Sequence, residues 1–81
     1  MDVHNVLNGV FQRLFENPNL QITSAMTARD VPEWDSLAHI DLIVEIEEEF
    51  AIKLTVDDIA ELQNVGEMIA LIERKVAARA K

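Results

Sequence analysis

Cysteine and tyrosine are missing from this 81-residue chain, and glycine and proline occur only twice each. Without cysteine there is no disulfide and no thiolate of the chain's own, so any thiol chemistry has to arrive on a cofactor. The Gly-x-Ser-x-Gly elbow of serine hydrolases is absent. No long apolar run occurs, and Met1-Asp2-Val3-His4-Asn5 lacks a basic region. Neither membrane insertion nor a secretory signal is therefore predicted, and a cytoplasmic location is expected. Bases are scarce too: seven lysines and arginines stand against fifteen acids. The net charge of −8 makes nucleic acid and anionic membrane poor partners, and basic protein patches good ones.

Hydrophobic residues, at 49%, are plentiful enough for a packed core. The length predicts a single domain over 1–81, near the lower limit for a self-sufficient core, and a monomer is expected. The charge is concentrated. Between Asp35 and Glu61 lie nine acids and one base, Lys53, so this window carries the whole net charge. Such a window reads either as a solubilising face or as a docking face.

Val3, Val6, Leu7, Val10, Phe11, Leu14 and Phe15 recur at steps of three and four and predict a helix. Asp2 is its candidate N-cap and Asn17-Pro18 its stop. Gly9 inside it costs about 1 kcal/mol relative to alanine, so packing must hold the element. Asn17 to Asp35 shows no clear periodicity. Ile22, Met26, Val31 and Trp34 are spaced as anchors, and predict an ordered loop that delivers Ser36 to the next helix. Pro32 keeps Val31 out of helical geometry.

The second helix is predicted over Ser36 to Phe50, about 22 Å long. Asp41, Glu45, Glu48 and Glu49 fall on one side, and Leu42, Ile43, Ile46 and Phe50 on the other. Leu37, Ile40 and Val44 extend the apolar arc towards the surface, and a helix this apolar is expected to be covered by other elements over most of its circumference. His39 and Glu47 are polar intruders on that arc. Ala51 to Leu54 is a short apolar connection, after which Thr55 caps a brief helix through Ile59 to Leu62, with Asp57 and Asp58 in its first turn. Asn64 caps the last helix, with Glu67 at the capping-box position. Val65, Met68, Ile69, Ile72 and Val76 make its stripe, and Arg74, Lys75, Arg79 and Lys81 complement its dipole. The prediction is an all-α four-helix bundle: three longer helices and one short, with a long loop between the first two.

Ser36 is the candidate functional residue. The first-turn N–H groups of a helix lack internal partners and the dipole favours negative charge there, so a phosphate ester on Ser36 would be well placed. Taken alone, a serine at a helix start is a weak signal. Asp35-Ser36-Leu37 followed by Glu47-Glu48-Glu49-Phe50 resembles the attachment motif and second helix of the acyl carrier proteins. The resemblance covers most of the chain. It implies a 4′-phosphopantetheine arm, derived from coenzyme A, on the Ser36 hydroxyl, whose thiol carries acyl groups as thioesters. It further implies that Asp35 helps present the serine to a phosphopantetheinyl transferase. Leu37, Asp41, Glu47 and Glu48 would then dock transferase and acyl-processing enzymes through their basic patches. Ala38 stands where fatty-acid carriers often have an acid, and the Trp-Asp-Ser-Leu-x-His form looks more like carriers of specialised pathways.

His39 lies three residues after Ser36 and invites comparison with a Ser–His–Asp set, but no oxyanion hole or base-orienting geometry is evident, and no catalytic residue is assigned. Nor do Glu47-Glu48-Glu49 and Asp57-Asp58 form a loop of alternating oxygen ligands, so no dedicated metal site is predicted. The resemblance thus implies a non-catalytic carrier of intermediates of fatty-acid, polyketide or related synthesis. An aminoacyl or peptidyl carrier, or a small acidic adaptor without a prosthetic group, are the alternatives.

Overall fold

Asp2 turns the chain into its first helix by accepting the backbone N–H of Asn5 at 3.2 Å. In the computed structural model, which describes residues 2–60 and 62–79, four helices follow in order: α1 (Val3–Leu14), α2 (Ser36–Phe50), α3 (Val56–Ala60) and α4 (Val65–Arg79). Glu61, counted above in the acidic window, and Lys81, counted in the basic C-terminal end, lie outside the described residues. The architecture is all-α, with three longer helices, one short one and a long loop between the first two.

The core forms where α1 packs on both α2 and α4. Leu7 and Phe11 of α1, Leu42 and Ile46 of α2, and Met68 and Ile72 of α4 are essentially inaccessible to water. Each such side chain contributes roughly 1.5–3 kcal/mol of transfer free energy, which makes this three-helix seam the main source of stability. On α2 the seam takes Leu42, Ile43, Ile46 and Phe50, the side the period assigned. The expected cover over the rest of α2 is not there. Leu37, Ile40 and Val44 stay 75%, 61% and 47% exposed. Among the described residues α1 is the helix packed broadly on α2, and no element is laid over these three.

The long loop is held by three devices. Ile22, Val31 and Trp34 are buried and Met26 half-buried, so the four anchors do sit on the core. The second device is a polar row on α1. His4 Nε2 meets the carbonyl of Ile22 at 3.0 Å, Asn8 Oδ1 accepts the N–H of Ile22 at 2.8 Å, and Gln12 Nε2 donates to the carbonyl of Leu20 at 2.9 Å. Four-residue steps put these three on one face, where they do for the loop backbone what a neighbouring strand would. Further on, the N–H groups of Val65 and Gly66 donate to the carbonyls of Met26 and Ser24, both at 2.9 Å. The orphan donors at the start of α4 thereby fasten the loop. Gly66 suits this approach: a Cβ there would lie 3.0 Å from the Ser24 carbonyl oxygen, tighter than an ordinary van der Waals contact.

The caps of α3 and α4 fall at the predicted positions. Thr55 and Asp58 form a reciprocal box, the Thr55 Oγ1 accepting from the Asp58 N–H at 3.1 Å and Asp58 Oδ2 from the Thr55 N–H at 2.9 Å. Asn64 Oδ1 accepts the Glu67 N–H at 2.8 Å, while the Glu67 carboxylate reaches back to the N–H of Gln63. Lys75, expected to complement the α4 dipole, instead donates to Asp58 of α3 at 2.8 Å.

Candidate functional site

Val31 and Trp34 fix the end of the loop in the core, and a turn closed by Trp34 N–H to the Val31 carbonyl brings the chain to Asp35. Asp35 keeps extended backbone angles and caps α2, its Oδ1 accepting the Ala38 N–H at 2.9 Å. Ser36 is therefore the first helical residue, exposed at the mouth of α2.

Trp34 does more than anchor. Its ring meets Phe11 edge-on, with centroids 5.2 Å apart, and stacks on His39 at 6.0 Å. Its indole N–H donates to His39 Nδ1 at 3.1 Å. With Nδ1 accepting, the imidazole proton sits on Nε2. Burial pushes the His39 pKa below its ordinary value, so the ring is held neutral.

Ser36, Trp34, His39 and Ile40 line an open groove of about 520 Å³ whose far wall is Leu62 and Gln63. A second groove of about 590 Å³ shares Leu62 and Gln63 and runs along α4 past Glu67 to Arg74. The floor of the first is apolar, while Asp35, His39 and Gln63 give it a polar lip. No hydrolytic relay is built here. Such a relay needs Nδ1 of the histidine to donate to a carboxylate, yet His39 Nδ1 accepts from Trp34 and Asp35 spends an oxygen on Ala38. Among the described residues no group of three or more His, Asp or Glu is gathered as metal ligands.

The remaining predicted site residues divide. Leu37, Asp41 and Glu48 are exposed on α2. Glu47 is half-buried and turned inward, its Oε2 accepting the Leu54 N–H at 2.9 Å. That bond explains the polar intruder: it satisfies a backbone donor in the connection to α3. Glu45 and Glu49 both face Arg13 of α1, at 3.6 and 3.5 Å. Ile40 and Val44, which the sequence assigned to the covered arc, continue the exposed line from Leu37. The signal for them was present, since α2 has apolar residues on more sides than one neighbour can take.

Residues 33–72 match the family of the phosphopantetheine attachment site. Over 99% of this chain and 92% of the other, the structure matches the solution NMR structure of the holo acyl carrier protein of Geobacter metallireducens, with a TM-score of 0.92 and 31% sequence identity. The chain belongs to the acyl carrier proteins. A search of curated proteins by sequence gave no match.

As an acyl carrier protein it is a carrier and not an enzyme. It bears a covalently attached phosphopantetheine and works with synthase and transferase enzymes. The residues present fit that group. A chain without cysteine needs the arm's thiol, and the groove beside Ser36 offers an apolar floor and polar lip to an arm that is itself amphipathic. Among the described residues no helix is long and apolar enough to cross a membrane.

Proposed function

We propose that Ser36 is the attachment point of the 4′-phosphopantetheine arm. The observation that carries this is its place: an exposed hydroxyl at the first position of α2, beside an open groove, inside the stretch that matches the attachment-site family. When bound, the arm supplies a thiol that holds cargo as a thioester. The chain's own part is presentation. Asp35 fixes the helix start and with it the direction in which Ser36 faces the modifying transferase. Trp34 fixes the loop behind it.

The cargo is an acyl intermediate of fatty-acid, polyketide or related synthesis in a specialised pathway, handled by a single cytoplasmic monomeric domain over residues 1–81. Ile40 and Val44 face solvent, so they do not wall a chain inside the core. The polar lip of the groove suits a short or hydroxylated acyl group. An aminoacyl or peptidyl cargo would use the same lip, and the intact mass of protein purified from its own host tells the two apart.

Partner enzymes bind the exposed line of Leu37, Ile40 and Val44, flanked by Asp41 and Glu48, through apolar contacts and basic side chains. Glu47 takes part through the connection it braces, since its carboxylate is already engaged.

Incubation with a phosphopantetheinyl transferase, coenzyme A and magnesium should add the mass of one arm. Ser36→Ala should abolish the gain and leave the helical circular dichroism unchanged. A gain that survives Ser36→Ala overturns the assignment. Glu48→Lys should slow modification mainly through the association rate, and the wild-type rate should fall as added salt shortens the Debye length from about 10 Å. Association indifferent to salt would leave the acidic face as a solubilising surface only.

A further inference from the structure

We infer that His39 anchors the inner end of the arm: its Nε2–H donates a hydrogen bond to a phosphate oxygen of the group on Ser36. The inference rests on attachment at Ser36. Three observations carry it. His39 follows Ser36 by three residues, so the two are neighbours on one helix surface, with Cβ atoms about 5–6 Å apart, and both line the same groove. The ring is not free to choose its tautomer. Trp34, wedged edge-on against Phe11, donates to Nδ1 at 3.1 Å and leaves the proton on Nε2. Finally, the groove has no lysine or arginine among its lining residues, and the Trp34 N–H is already used. Asp35 adds to the need, because its carboxylate takes the Ala38 N–H and sets a negative charge beside the phosphate. Beside the first-turn backbone N–H groups of α2, the His39 Nε2–H is the side-chain donor on the Ser36 side of the groove, the Gln63 amide lying on the far wall. His39 is thus a positioning residue for the arm, and Trp34 positions His39.

The test is nuclear magnetic resonance on wild-type protein with and without the arm, loading being verified by mass. In the arm-free protein the ring ¹⁵N shifts should report the Nε2–H tautomer. Loading should slow exchange of that proton about tenfold or more, the factor a charge-assisted hydrogen bond supplies. In loaded His39→Phe, which keeps a ring to stack on Trp34, the ³¹P signal should shift and narrow as the phosphate is released. His39→Gln, which retains a donor, should restore part of the wild-type signal. The Nδ1–H tautomer in the arm-free protein overturns the inference. So do an unchanged exchange rate and a ³¹P signal indifferent to His39→Phe in verified loaded protein. Should His39→Phe fail to fold, the wild-type comparison alone decides. If mass shows that Ser36 takes no arm, the attachment itself falls, a separate and earlier failure.

Discussion

The stretch from Phe15 to Asp35, which leads into α2, and the stretch from Ala51 to Asn64, which leads out of it, meet the rest of the molecule differently. The first contains no helix, yet it buries Ile22, Val31 and Trp34 and is hydrogen-bonded along its backbone to α1 and α4. The second contains α3, but α3 buries no residue and leaves Val56 83% exposed. Ile52 and Leu62 pin its two ends, and polar bonds hold what lies between: Glu47 to Leu54 and Asp58 to Lys75. Resistance to local opening follows buried area and satisfied backbone groups rather than regular secondary structure. The groove beside Ser36 lies between these two stretches. Trp34 belongs to the first stretch and His39 to α2, while Gln63 and the pinning residue Leu62 belong to the more lightly held second stretch. An arm on Ser36, as proposed, would be rooted beside the first wall and face the second.

The largest expected effect breaks the firm side. Ile22→Ala should cost about 2–4 kcal/mol in global unfolding, because it empties a core site filled from a loop whose backbone is tied to α1 and cannot easily collapse. Ile59→Ala on half-buried α3 should cost about 1 kcal/mol or less. Paired denaturant titrations check this; equal costs would mean that the two connections are equally integral to the fold.

A smaller effect of opposite sign sits where each stretch begins. Glu16 and Ala51 take positive φ, 51° and 53°, in the left-handed region that favours glycine. Ala51→Gly should raise stability by about 0.5–1 kcal/mol, the left-handed strain relieved less the entropy that glycine adds to the unfolded chain. Because the gain arises at a helix end and not in α3, exchange protection within α3 should stay as it was. A thermal melt with amide exchange reads both. A loss of stability would show that the Ala51 methyl packs better than its backbone is strained.

The helices were legible because their signals are local. Asp2, Thr55, Asn64 and the apolar period of α2 set boundaries from residues within a turn or two. So was the place of Ser36 at the start of α2. What stayed hidden depends on partners far apart in sequence. The hydrogen bonds of His4, Asn8 and Gln12 to the loop join residues 8 to 18 positions apart. Trp34 and His39 were both noticed, but only the fold turns the indole N–H onto Nδ1. Glu47 looked like a docking acid because a carboxylate on a helix cannot reveal that a backbone donor from the next connection will reach it. The exposure of Ile40 and Val44 beside Leu37 was missed for a related reason: cover depends on how many helices remain to supply it.

The smallest effect tests what holds the yielding side. Hydrogen bonding to the Lys75 ammonium, and then to the Thr55 N–H, lowers the Asp58 pKa to about 2. The folded value lies below the unfolded one, so the charged carboxylate favours the fold. Its contribution is complete above the ordinary carboxylate range near 4 and is lost as pH falls towards about 2. The loss should be local, since Asp58 braces α3 and not the seam of α1, α2 and α4. The protection of amides 55–60, taken relative to the intrinsic exchange rate at each pH, should therefore fall on acidification before that of α1 and α4. In Asp58→Ala the same amides should exchange fast already at neutral pH, with little change in the global melting midpoint. The pH dependence specific to α3 should then be gone. If wild type and variant protect α3 alike at every pH, the Asp58–Lys75 pair does not hold it, and the apolar ends Ile52 and Leu62 do so alone.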